Sequence, residues 1–143
     1  ISKSPAALGV ALAKKHFSSE LIKKSGEFAI NIPDWPLLDR VIDCGKCSGR
    51  EVDKFKKINL TKVKGCAISK APLVGECIGN IECTLLDIKD VGDHFIFIGE
   101  ILKAQAEQDY FNEGFWDTSA IDLIFHLGGK FFFKSPNYSE FGK

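Results

Sequence analysis

The sequence predicts a mainly β chain with short helices, an α+β fold, and three observations carry that expectation. From Ile78 to Ala106 two β-patterned runs flank Gly92-Asp93, with Ile81, Cys83 and Leu85 alternating in the first and Phe95 and Phe97 in the second, the signature of a long hairpin. Ala6 to Ala13 is an almost uninterrupted apolar run of strand length, and Glu27 to Ile32 alternates Phe28, Ile30 and Ile32 with Ala29 and Asn31. Helical spacing is confined to short windows between these runs. At 143 residues the chain has the length of one domain, long enough to bury a substantial core.

In chain order, Ile1 to Pro5 is short and polar, and Ala6 to Ala13 reads as a strand buried on both faces. Ser18 or Ser19 is placed to cap a short helix running through Lys24, with Glu20 in its first turn and Gly26 ending it. Pro33-Asp34-Trp35-Pro36 breaks the next strand, and Pro36 opens a helix whose Leu37, Leu38, Val41 and Ile42 face inward and which Gly45 is placed to stop. A second short helix from about Glu51 to Ile58 carries Val52 and Phe55 inward and pairs Asp53 with Lys57 one turn on. Asn59 to Ala71 reads as a weak strand and turn, its Lys62, Lys64 and Lys70 on a solvated face.

Past the turn of the long hairpin, Phe95 to Ile98 is apolar on both faces, as in a strand covered on both sides. Gln105 to Thr118, with Tyr110, Phe111, Phe115 and Trp116, is a polar, aromatic-bearing connection, a loop or a lid. The apolar run from Ile121 ends in Gly128-Gly129. Phe131 to Phe133 closes a domain over 1–134, and 135–143 reads as a tail.

Composition excludes several classes of function. The 19 basic and 19 acidic residues balance, so no field of one sign points to nucleic acid or an anionic membrane. No apolar run approaches the roughly 20 residues of a membrane helix, and no signal-peptide pattern opens the chain. Five cysteines, an odd number, fit reduced thiols better than a disulfide framework, so the expected location is cytoplasmic. The absence of methionine means the chain has no initiator, as if it began inside a longer gene product.

The stretch Cys44 to Phe55 concentrates glycines, a hydroxyl, two thiols, Arg50, Lys46 and Lys54 between two amphipathic segments. One reading is an anion-holding loop, in which glycines turn backbone N–H groups inward, the segment from Glu51 presents a helix N-terminus, and Arg50 and Lys54 add charge. The other is a helix-capping turn with solvated cations, since no phosphate-loop or dinucleotide fingerprint is matched. Cys44-Gly45-Lys46-Cys47 also has the spacing of a thiol redox pair. Zinc is disfavoured, because no His or Cys pair completes four ligands at finger spacing. No paired-carboxylate or Ser/His/Asp signal stands out. His126 and Asn31 each carry two readings, a pocket-facing group or a side chain satisfied by neighbouring backbone.

Cys44-Gly45-x-x-Ser48-Gly49-Arg50-x-x-Asp53-Lys54-Phe55, preceded by Gly26-Glu27-Phe28-Ala29-Ile30-Asn31-Ile32-Pro33 and followed by Ala71-Pro72-Leu73 and Ile81-Glu82-Cys83, resembles the flavin reductase-like family that includes flavoredoxin. The resemblance runs in order from about Ser4 to Lys130. It implies an FMN-binding split β-barrel, usually a homodimer, that passes electrons from NADH, NADPH or another carrier to a small acceptor such as flavin or ferric iron. It further implies that His16, Ser18, Ser48, Arg50 and Lys54 reach the flavin phosphate or ribityl chain and that Gly49 gives backbone access. Cys47, Asn31 and His126 would border the ring, His126 where a nicotinamide approaches, making it the catalytic candidate. With the difficult chemistry left to a cofactor, binding residues are expected rather than an acid–base apparatus. Two alternatives remain: a flavin-binding carrier or sensor without turnover, and a thiol redox protein using Cys44 and Cys47. The family carries about one strand pair ahead of the position of Ile1, so the chain is expected to lack that part, and Ser4-Pro5-Ala6 replaces the usual Ser-Pro-Pro.

Overall fold

The computed structural model describes residues 1–136. Its centre is a five-stranded antiparallel sheet in the order β1-β2-β7-β6-β3. These strands are β1 (Ser2–Lys3), β2 (Ala6–Ala13), β3 (Glu27–Ile32), β6 (Gly79–Val91) and β7 (His94–Ala106). The expected long hairpin is β6–β7, paired from Val91↔His94 out to Gly79↔Ala106, with irregularities after Glu82 and after Leu85 that the alternating pattern did not disclose. Such bulges sharpen strand twist, which curls a sheet toward a barrel.

The core gathers on one face, where Ile22, Phe28, Cys83 and Phe97 are buried and Leu8, Val10, Leu12 and Ile81 pack against them. Gly99 is required there, because a Cβ at that position would sit 2.5 Å from the Phe28 ring and 3.0 Å from Cys83 Cβ. Two expectations of double-sided burial do not hold. β2 turns Gly9 and Ala11 outward while only Ala7 is buried, and Ile96 on β7 is exposed. A continuous apolar run cannot by itself distinguish a covered face from a bare one.

Helix α1 (Phe17–Ser25) starts without a side-chain cap, and Ser19, expected as one, instead donates to the Ala13 carbonyl at 2.9 Å. Gly26 ends it at φ 70°, its N–H reaching the Ile22 carbonyl. Pro36 lies in a single 3-10 turn, Trp35–Leu37, that leads into α2 (Leu38–Lys46). Gly45 therefore lies inside α2 rather than stopping it. The next helix, α3, is only Lys54–Ile58. Its cap is Asp53, whose carboxylate accepts from Phe55 N–H and Lys56 N–H, a stronger local demand than the expected pairing with Lys57.

The remaining strands form small hairpins: β4 (Lys62–Val63) with β5 (Leu73–Val74), β8 (Phe111–Asn112) with β9 (Phe115–Trp116), and β10 (Ile124–Gly128) with β11 (Phe131–Lys134). The connection expected as a loop or a lid holds the β8–β9 hairpin, with Trp116 against Phe111 at 5.1 Å and over Gly79. Ser135, placed in the expected tail, is buried and bonded to Leu123 through both its N–H and its hydroxyl. Residues 137–143 of that tail lie outside the described residues.

Replacing Gly99 by Ala should lower stability by about 1–3 kcal/mol through overpacking against Phe28, measured as a shift in urea midpoint with an unchanged slope.

Candidate functional site

Several of the residues singled out from sequence meet where α1 begins. His16 and Ser18 flank Phe17, and the loop after α2 folds onto that ring. The Arg50 guanidinium stacks over Phe17 at 4.6 Å and donates to Glu20. Gly49 closes on the same ring, where a Cβ would lie 3.3 Å from Phe17 Cδ1. The Ser48 hydroxyl accepts the Arg50 N–H at 3.2 Å, and its carbonyl accepts from Glu51 and Val52, so the loop is a compact turn. Bonded to Arg50, the Glu20 carboxyl is held below its ordinary range. Lys54 is directed to the Cys44 carbonyl at 2.6 Å. His16, Ser18, Ser48, Arg50 and Lys54 all carry N–H or O–H donors, the chemistry a phosphate requires. The expected helix N-terminus is not among these donors, because Asp53 already occupies the first free amides of α3.

Asn31 lies apart from this cluster, on β3. Its Oδ1 accepts the Val74 N–H at 2.8 Å, tying β5 to β3. The alternation that places Asn31 there also places Glu27 and, across the β3–β6 ladder, Glu82 opposite Ala29 on the same face. Glu82 is fully buried and accepts from the backbone N–H groups of Cys66, Ala67 and Ile68. Glu27 takes the next two, Ser69 and Lys70. Burial pushes the Glu82 carboxyl up, yet the three amides outweigh it and the group is held below its ordinary range. The sequence reading missed both carboxylates. The available signal was polar side chains recurring on one face of two adjoining strands beside a loop rich in unpaired amides.

Two cavities flank these elements. One of about 580 Å³ lies between α1, β3 and Lys70 to Pro72, with Ser18, Lys24 and Phe28 on its walls. The other, about 320 Å³ and open to solvent, lies between β3, α2 and β5 and is lined by Asn31, Val41, Cys44, Val74 and Cys77. All five cysteines are free. Burial pushes the Cys44 thiol up, and Cys77 to about 11, the opposite of what an exchanging thiol needs. Cys47 Sγ reaches the Asp43 carbonyl. His126 sits on the β10–β11 hairpin, exposed, stacked on Phe132 at 4.5 Å and 3.0 Å from the Gly129 carbonyl through Nε2. Among the described residues no hydrogen bond joins His126 or Asn31 to the Arg50 cluster, and no group of His, Cys, Asp and Glu is arranged to hold a metal. Nor is any described helix long and apolar enough to cross a membrane.

The antiparallel sheet with its bulged long hairpin and its few short helices is a split barrel. Residues 1–128 match the flavin reductase like domain, and the chain belongs to that family. An uncharacterized protein of Archaeoglobus fulgidus is 38% identical over 140 residues, which cover 98% of this chain and 77% of that protein. Flavoredoxin of Desulfovibrio vulgaris (Miyazaki F) superposes with TM-score 0.86 at 27% identity, covering 98% of this chain and 75% of its own. Flavoredoxin from Methanosarcina acetivorans gives TM-score 0.87 at 27% identity, covering 98% and 74%. The chain spans 48% and 64% of two further relatives. Membership supports a flavin-related oxidoreductase.

Glu82→Gln should cost about 1–3 kcal/mol at neutral pH, since an amide cannot accept three N–H groups as a carboxylate does. Because the folded-state pKa of Glu82 is depressed, its contribution is present above the unfolded value of about 4.3 and lost as pH falls through the folded value. Urea titrations across the acid range should therefore show a shallower loss of stability in the variant than in the parent.

Proposed function

We propose that the chain is an FMN-binding oxidoreductase that takes hydride from NADH or NADPH, or electrons from another carrier, and passes them to a small acceptor such as flavin or ferric iron. What supports this reading is the packing of Arg50 and Gly49 on Phe17, the residue between His16 and Ser18. In this reading His16, at the N-cap of α1, and Ser18, in its first turn, join Ser48, Gly49 and Arg50 of the loop and Lys54 of α3 in holding the phosphate. These residues suit a phosphate monoester, and Glu20 marks the place where Arg50 already holds an anion. Binding exchanges that carboxylate for the flavin phosphate. FMN, when bound, supplies the two-electron and one-electron chemistry that no side chain here provides. The chain's own part is to grip the phosphate, and Cys47, next to Ser48, borders the flavin from the same loop. The thiol redox alternative is weakened by the raised Cys44 thiol.

The functional unit in this reading is a homodimer. Leu127 and Phe131 are 70% and 63% exposed on the β10–β11 hairpin, and Phe125 and Phe133 add to the same apolar surface. A two-stranded hairpin gains its stability from packing against something else.

The purified full-length protein should be yellow, and Arg50→Ala combined with Lys54→Ala should weaken FMN retention roughly 10- to 100-fold while far-ultraviolet circular dichroism stays unchanged. Colourless protein that ignores added FMN would sink the reading. Leu127→Glu with Phe131→Glu should convert a dimer to a monomer by light scattering.

A further inference from the structure

Charge in this chain is balanced in total but segregated along it. Between positions 40 and 70 nine lysines and arginines stand against three carboxylates, and between 71 and 117 two lysines stand against ten. The basic excess surfaces on α3 and β4. Lys56 and Lys57 are exposed on α3, Lys62 on β4, and Lys64 just beyond it. Lys62 lies over the Phe55 ring at 5.9 Å, which joins β4 to α3. Among the described residues none of these four ammonium groups has a carboxylate partner, whereas Lys14, Lys89 and Lys134 are paired with Asp90, Asp87 and Asp122. Two of the segment's three acids are engaged elsewhere, Asp43 with Lys46 and Asp53 with the first amides of α3. Only Glu51 is left to dilute the excess.

A lysine facing water needs no explanation by itself. Four unanswered ones on adjoining elements create a field that reaches about 8–10 Å at physiological salt and draws anionic partners to that side. The chemistry favours an acidic protein over a nucleic acid. Lysines act as hydrated point charges, where phosphate recognition uses the arginine fork, and the Phe55 ring is covered by Lys62 instead of free to stack on a base. Position gives the face its use, because α3 begins four residues after Arg50, at the end of the turn assigned to the flavin phosphate.

We propose that the α3–β4 face, through Lys56, Lys57, Lys62 and Lys64, docks the acidic surface of a small one-electron carrier protein. The carrier's role rests on the flavin reading, and the docking rests on the charge pattern alone. Each docked carrier gives up one electron and leaves oxidised, and two encounters with one proton from water reduce FMN to its anionic hydroquinone. Such an encounter is brief and salt-sensitive, since exposed ammonium groups speed approach more than they hold a complex.

The probe is a plant-type [2Fe–2S] ferredoxin, an acidic protein, added to the full-length protein. Docking is followed by amide NMR shifts, and electron delivery from the reduced ferredoxin by anaerobic bleaching of the flavin absorbance. Shifts should gather on α3 and β4, and reduction should slow roughly tenfold between low salt and about 0.3 M. Lys56→Glu, Lys57→Glu and Lys64→Glu together should slow it roughly 10- to 100-fold at low salt and flatten the salt dependence. The corresponding glutamine variant should fall between, and both should retain FMN as the parent does. The proposal is overturned if the shifts fall elsewhere or are absent, if the glutamate variant docks and is reduced like the parent, or if docked ferredoxin leaves bound FMN oxidised. It is also overturned if a short DNA duplex shifts these amides and ferredoxin does not, which would assign the face to nucleic acid. Protein that retains no FMN yet docks ferredoxin on α3 and β4 would defeat the flavin reading and leave the docking surface standing.

Discussion

The outer face of the sheet is organised by a carboxylate buried where a charge is costly. Glu82 lies at full burial on β6, an interior strand of the sheet, and its oxygens are satisfied by three successive amides of the segment that crosses above it. An ionised group in that position is tolerable only when its lone pairs are answered. The same bonds supply partners for amides that no strand ladder provides. Gly65 belongs to the arrangement, since a Cβ there would sit 2.5 Å from Glu82 Oε2. With Glu27 and Asn31 continuing the pattern, six backbone N–H groups of an otherwise irregular segment are held by three side chains of two strands.

Both cavities inherit their shape from this tethering. Lys70 to Pro72 form a wall of the larger one because Glu27 holds the Lys70 amide and Ser25 receives its ammonium. Val74 and Cys77 close the smaller one because Asn31 anchors β5. The turn that carries Ser48, Gly49 and Arg50 is built on other terms. There a ring, Phe17, serves as a platform for Arg50 and Gly49, and the charge of Arg50 is answered by Glu20. That pair is exposed to solvent, so it is weakly held and open to exchange with a more highly charged anion. One region is therefore rigid by burial and the other adaptable by exposure.

Much of the fold was legible in the sequence. The alternation of Phe28, Ile30 and Ile32, the long runs around Gly92-Asp93 and the short helical windows all register local periodicity, and local periodicity survives folding intact. The motif from Cys44 to Phe55 and its neighbours led to the family that residues 1–128 match. Helix ends were less legible. Gly45 reads as a stop, yet α2 continues through it, and Glu51 reads as a start, yet α3 begins at Lys54. Helix ends depend on which carboxylate or carbonyl happens to be near, and in α3 that is Asp53.

By itself, the order of residues determined the strands β2, β3, β6 and β7, the core residues Phe28, Cys83 and Phe97, and the donor-rich loop, because each is set by side chains a few positions apart. Only the tertiary structure decided that Glu82 and Glu27 are tethers rather than solvated charges, that Asn31 faces a cavity with Cys44 and Cys77, and that Arg50 lies on Phe17. Those outcomes hang on contacts between residues from 14 to 43 positions apart, and the pairing of distant segments is settled by sheet register and packing, which no short window of sequence encodes.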